Sequence, residues 1–212
     1  MILPFKKPEL NRPDQTFQDD AFALAKSALG KTCVEIIEPH YSAGLQMQVE
    51  ACLAQSPQIQ SYAVFIDTQN SWVPCGVCSH VLRHILWVRC KSQTDALRAA
   101  DVVMRDENFR IVLMDLRGVS LPSLKRIPQA QWFRLQRMAQ NQGSTLIIAA
   151  SYPSVASAQL RIEVDAQFGL SSFHHKRSKL WSQVQNTITR QRPSANTIPP
   201  WIALKTRKAH AS

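Results

Sequence analysis

Asp115 ends a four-residue apolar run, Ile111 to Met114, inside the stretch RIVLMDLRG at 110–118. A short apolar run bounded by charges reads as a strand buried on both faces. An acid at the end of such a strand lies in the crevice at the carboxyl edge of an α/β sheet, where these folds place ligands. In nucleoside-triphosphate hydrolases an Asp there helps to hold Mg²⁺. The other reading is an Asp that caps the chain as it leaves the sheet. The choice depends on whether a phosphate-binding loop accompanies it. CVEII at 33–37, the loop EPHYSAG at 38–44 and the helical pattern at 45–53 have the strand, short loop, helix layout of such a loop. The chemistry departs from G-x-x-x-x-G-K-[ST], in which the Lys reaches the β and γ phosphates and the hydroxyl holds Mg²⁺. Glu38 stands at the first Gly position, Gly44 at the Lys and Leu45 at the hydroxyl, with Ser42 inside the loop. An anionic side chain replaces the phosphate cradle and the countercharge is missing, which argues against ATP binding in the usual manner.

The elements that would position these residues follow from periodicity. Strands are expected at 33–37, 61–67 (SYAVFID), 85–89 (ILWVR), within 110–118 around the apolar run 111–114, at 144–150 (STLIIAA) and at 160–168. The last alternates apolar and polar residues, L-R-I-E-V-D, which suits an antiparallel edge strand added to a parallel sheet. Helices are expected over about 17–29, capped by Thr16 and left at Gly30, over 45–53, over a face made by Ala96, Leu97, Ala100, Val103 and Met104, and over about 129–141. In the last of these Trp132, Leu135, Met138 and Ala139 face inward, and Arg134 and Arg137 outward. Residues 119–129 read as a loop, and 171–182 as a helix leading into an extended piece. Strands alternating with helices give an α/β fold with a mostly parallel central sheet flanked by helices. The chain then divides into an irregular lead-in at 1–16, a core at 17–170, a basic extension at 171–192 and a flexible basic tail at 193–212.

The 212 residues suffice for one α/β domain with a tail, and an apolar share of 45% can fill a core. No apolar run reaches the roughly 18 residues of a membrane span, and the N-terminus has no signal-peptide pattern, so a cytosolic, membrane-free protein is expected. Cys33, Cys52 and Cys90 look like reduced core thiols. Cys75 and Cys78 form a single CxxC without a second pair, which reads as structural or incidental rather than as zinc or redox chemistry. No metal or cofactor is expected.

The formal charge is +10, and no acid follows Asp165. That remainder carries Lys176, Arg177, Lys179, Arg190 and Arg192, then Lys205, Arg207 and Lys208. Such a segment on a nearly balanced body reads either as a contact for a polyanion, nucleic acid above all, or as a solvated tail that aids solubility. The DNA-contact candidates are those first five with Lys125, Arg126, Arg134 and Arg137. The apolar island at 198–204 (IPPWIAL) either tucks back onto the domain or docks a partner, through Ile198, Trp201, Ile202 and Leu204. Trp181 and Trp201 either stack on bases or serve the core or a docking contact.

Taken together these segments resemble the ATPase core of the bacterial recombinase RecA over about residues 30–170. VEI at 34–36, Pro39 and Ser42 match the approach to its phosphate loop. VFID at 64–67 resembles the strand before its catalytic glutamate, and IVLMDL at 111–116 its Mg²⁺-supporting strand. STLII at 144–148 and LRIEV at 160–164 resemble its last two core strands. The resemblance implies a RecA-like three-layer fold and places Gln69 at the catalytic Glu, where it cannot take a proton from an attacking water. With the phosphate Lys also lost, it implies a chain without hydrolytic activity, in which only Asp115 survives of the three catalytic parts. The family's second DNA-lining loop is cut here to 151–157, without a glycine.

Among non-hydrolysing relatives of this core, LWVR at 86–89, ALRAADVVMRDE at 96–107 and the basic C-terminus look more like the ImuA group of SOS mutagenesis proteins than like the SulA division inhibitors. The ImuA resemblance implies a translesion-synthesis adaptor. It would work beside a catalytically inactive Y-family polymerase relative and an error-prone replicative-type polymerase, with DNA or RecA as further partners. Two other readings stay open. One is an ATPase with an unorthodox loop, in which Lys31 or Lys125 replaces the missing cation. The other is a SulA-like inhibitor of the tubulin-like division protein.

Overall fold

The computed structural model describes residues 32–40, 43–53, 61–74, 77, 79–166, 168–175, 179–180 and 183–192. The expected helix at 17–29, the tail at 193–212 and the CxxC cysteines lie outside the described residues. Seven strands form one sheet: β1 (Cys33–Ile37), β2 (Tyr62–Asp67), β3 (Ile85–Arg89), β4 (Phe109–Asp115), β5 (Thr145–Ala150), β6 (Leu160–Ala166) and β7 (Val184–Gln191). Their order is β3-β2-β4-β5-β1-β6-β7; β1 to β6 run parallel and β7 runs antiparallel to β6.

The central strands are the most apolar. Every residue of β1 and β5 is buried, as a parallel sheet covered on both faces requires. β3, at one edge, is half exposed. Helices α1 (Ala43–Leu53), α2 (Ser79–Leu82), α3 (Gln93–Val103), α4 (Leu121–Lys125) and α5 (Gln129–Gln142) connect the strands. Leu45, Val49, Cys52 and Leu53 of α1 pack on one face with Val34, Ile36, Phe65 and Ile147. Ala96, Leu97, Ala100 and Val103 of α3 and Trp132, Leu135 and Ala139 of α5 pack on the other, with Val64, Val112 and Ile148. The molecule is therefore an α/β protein whose sheet lies between two helical layers. Among the described residues no helix is long and apolar enough to cross a membrane.

Local chemistry fixes the helix ends. The Ser92 hydroxyl accepts the N–H of Asp95 at 3.2 Å and donates to its carboxylate at 2.8 Å, capping α3. α5 ends at Gly143, whose φ of 61° is the left-handed region that glycine adopts without a Cβ clash.

Three expectations need correction. The alternating strand β6 is not the antiparallel edge; it lies inside the sheet, parallel to β1, and β7 is the antiparallel strand beyond it. Its polar alternate residues, Arg161, Glu163 and Asp165, share a face on which no described helix packs, and so they mimic an edge pattern. The stretch expected to be a loop at 119–129 contains the short helix α4, started by Pro122 in its first turn. The helix expected over 171–182 begins instead with a 3-10 turn, Leu170–His174; of the rest of that span, the described Lys179 and Leu180 are helical.

Candidate functional site

The parallel strands bring the ends of β1, β2, β4 and β5 to one edge of the sheet. Glu38 follows β1 and extends its ladder through an N–H to the Ala150 carbonyl, 3.0 Å. Its carboxylate is buried, and Oε1 accepts the N–H of Leu45 at 3.3 Å, in the first turn of α1. An internal anion therefore sits where a helix N-terminus offers its unpaired N–H groups and the positive end of its dipole. Leu45 itself points into the core, fully buried among Val49 and Ile147, far from any role as a hydroxyl.

β4 is not the neighbour of β1, because β5 lies between them. The Asp115 and Glu38 strands are thus two strand spacings apart, about 10 Å. Arg117 spans the gap. Its Nε donates to both Asp115 oxygens at 3.0 and 3.1 Å, Nη2 donates to Oδ2 at 2.7 Å, and Nη1 lies 3.5 Å from Glu38 Oε2. The Arg117 backbone N–H also donates to Asp115 Oδ1 at 3.1 Å, and its carbonyl accepts the Ser151 hydroxyl at 2.9 Å. Arg117 is 6% exposed, Glu38 1% and Asp115 0%, so water does not screen these contacts. A phosphate approaching α1 would meet the Glu38 carboxylate, and a cation approaching Asp115 would meet the Arg117 guanidinium.

The β2 end closes the same edge. Asp67, opposite Asp115 in register, accepts the N–H groups of Gln69 and Asn70 at 2.9 and 2.7 Å and faces the Trp87 indole N–H at 3.3 Å. Thr68 donates its hydroxyl to the Asp115 carbonyl at 2.6 Å. The Gln69 side chain lies across Gly118, where a Cβ would come within 1.9 Å of its Oε1. Gln69 is therefore a packing element between the two loops. Glu38, Gly44, Leu45, Gln69 and Asp115 do converge on one edge of the sheet; Ser42 lies outside the described residues.

The basic candidates do not form one patch. Lys125, the last residue of α4, and Arg126, its C-cap, are exposed after the Asp115 edge, and Arg126 folds back on the Pro122 carbonyl. Arg134 and Arg137 are on the outer side of α5, with Arg134 paired to Asp101 of α3. Two cavities of about 320 and 240 Å³ lie beside that pair, lined by Met104, Met138, Leu97 and Leu135 among others. Arg190 and Arg192 are at the opposite edge of the sheet, where β7 ends beside the start of β6. Lys179 is exposed; Lys176, Arg177, Trp181, Ile198, Trp201, Ile202 and Leu204 lie outside the described residues.

No protein-family model matches the chain, and no curated protein does.

Two residues with clear structural roles escaped the sequence reading. Arg117 is the first. A carboxylate in the phosphate position calls for a countercharge, and Arg117 is the next cation after Asp115, so the signal was present. Glu35 is the second, a charge in the middle of the buried strand CVEII. Its Oε1 accepts the N–H groups of Ser154 and Val155 at 2.6 and 3.0 Å, and Oε2 takes Arg161 Nε at 2.6 Å. Residues 151–159 cross from β5 to β6 without a helix, and Glu35 satisfies backbone donors that a helix would have satisfied itself. The thiols of Cys33 and Cys52 are pushed up to about 12 by burial, which leaves them neutral in the core as expected. Among the described residues no group of three or more His, Cys, Asp or Glu side chains could hold a metal ion.

Proposed function

We propose that this chain is a non-catalytic, RecA-like accessory protein of SOS DNA-damage tolerance, an adaptor within a translesion-synthesis assembly. The closure of the Asp115 edge carries this reading. Glu38 occupies the anion position at α1 and Arg117 neutralises Asp115, so the helix terminus and the carboxylate that a Mg²⁺-nucleotide would engage are already engaged from within. The mostly parallel sheet, with Glu38 between β1 and α1 and an acid ending β4, supports this reading. A scaffold that keeps this architecture with its charges closed internally works through its surfaces. Those surfaces would dock an inactive Y-family polymerase relative and an error-prone replicative-type polymerase in the cytosol, with DNA or RecA as further contacts.

Affinity capture of the tagged chain from DNA-damaged cells, read by mass spectrometry, tests the assignment. Recovery of translesion polymerase subunits is the expected result. Recovery of the tubulin-like division protein in their place, with cell filamentation on overexpression, would replace the adaptor by a division inhibitor.

A further inference from the structure

Arg161 and Arg190 face each other across the antiparallel pair β6–β7, where like charges in register repel. Arg192 adds a third guanidinium at the same end. Burial lowers the pKa of Arg190, and the charges of Arg161 and Arg192 lower it further, with Glu35 opposing them. Glu35 is fully buried and already holds Arg161 and the Ser154 and Val155 N–H groups. Glu163 is the next acid along this face, opposite Thr187 and separated from the Arg pair by a break in register; Asp165 lies a further two residues away, opposite Gln185.

The forks are also fixed in place. Arg161 Nη2 donates to the Val155 carbonyl at 3.3 Å and Arg190 Nη1 to the Ala156 carbonyl at 3.2 Å, both on the helix-free crossover. Glu35 answers the charge of Arg161, while among the described residues no carboxylate forms an ion pair with Arg190 or Arg192 beside it, which leaves a demand for an anion at this end. Beyond Arg192 the sequence contains Lys205, Arg207 and Lys208 and no acid.

We propose that Arg161, Arg190 and Arg192 form the seat for a nucleic-acid backbone, at the edge of the sheet opposite Asp115. The inference rests on the reading of this chain as a DNA-damage adaptor and names the surface that meets DNA. Guanidinium forks match phosphate oxygens in pairs. Lys125 and Arg126, at the other end of the sheet, lie outside it.

The test is fluorescence anisotropy of the full chain with a labelled single-stranded oligonucleotide, repeated over a salt series. R190E/R192E should weaken binding about tenfold or more and reduce the slope of log K against log salt by about 1.4, two single-strand phosphate contacts' worth. K125E/R126E should leave both unchanged. The melting temperature of R190E/R192E should hold or rise, because a carboxylate then faces Arg161. R192E alone, at an exposed position, repeats the test with less disturbance and should show about half the slope change. Unchanged binding in R190E/R192E, an equal loss in K125E/R126E, or displacement of the oligonucleotide by poly-glutamate at equal charge would overturn the assignment. No binding by the unmodified chain would overturn it too, while leaving the adaptor reading to stand or fall on polymerase capture.

Discussion

The two ends of the sheet handle charge in opposite ways. At the Asp115 edge two buried carboxylates share one buried guanidinium, which contacts both. At the far edge of β6–β7 one inward-facing carboxylate, Glu35, holds Arg161, and Arg190 and Arg192 add their charges beside it. The first end has the position of a ligand site and the electrostatics of a core. The second has no recognisable motif, and its charges are balanced only in part from within. A motif position tells where chemistry would be sought, whereas incomplete charge compensation tells where a charged partner would be sought.

The largest break in this comparison would come from Arg117→Ala. Removing one member of a buried ionic cluster strands its partners, which costs about 3–5 kcal/mol. Urea unfolding should show that loss. A cost below about 1 kcal/mol would mean that Asp115 and Glu38 do not depend on the guanidinium, and the two ends would no longer differ in kind. Glu35→Gln should come next, at about 2–3 kcal/mol, because Arg161 loses a charged partner while an amide oxygen still serves the crossover N–H groups. A neutral result would place Arg161 among solvated surface charges and weaken the contrast from the other side.

The smallest effect is expected at Asp101, which ties α3 to α5 through Arg134 and also pairs with Arg105. Desolvation acts to raise its pKa, but hydrogen bonds from both arginines and their charges hold the carboxyl below its ordinary 3.8. A depressed carboxyl contributes stability above the unfolded-state value and loses it as pH falls through the folded-state value, so the tie should fade below about pH 4. Asp101→Asn should cost less than about 1 kcal/mol at neutral pH and nothing in acid, since the pair is exposed. A larger cost would show that surface charges here carry as much stability as the buried cluster.

Much of the fold was readable because the central strands are apolar without interruption. CVEII and ILWVR match β1 and β3 residue for residue, and the buried face of α3 is the one its periodicity marks. β6 misled because alternation reports only that one face is polar, and the polar face here belongs to an interior strand. The candidate edge was legible as positions and not as contacts. Glu38 and Asp115 were found from the strand and loop pattern and Gln69 from the RecA resemblance, but the role of Arg117 depends on two strands separated by a third, which no local pattern encodes. Glu35 was hidden for the same reason: its partners lie more than a hundred residues away, on the crossover and on β6.

Thermal unfolding during a titration with ATP·Mg²⁺ addresses the closed edge most directly. With Glu38 at the α1 N-terminus and Arg117 on Asp115, the melting temperature should stay flat through millimolar nucleotide. A rise that begins at sub-millimolar ATP would show a ligand bound preferentially to the folded chain, and would mean that the edge opens to admit it.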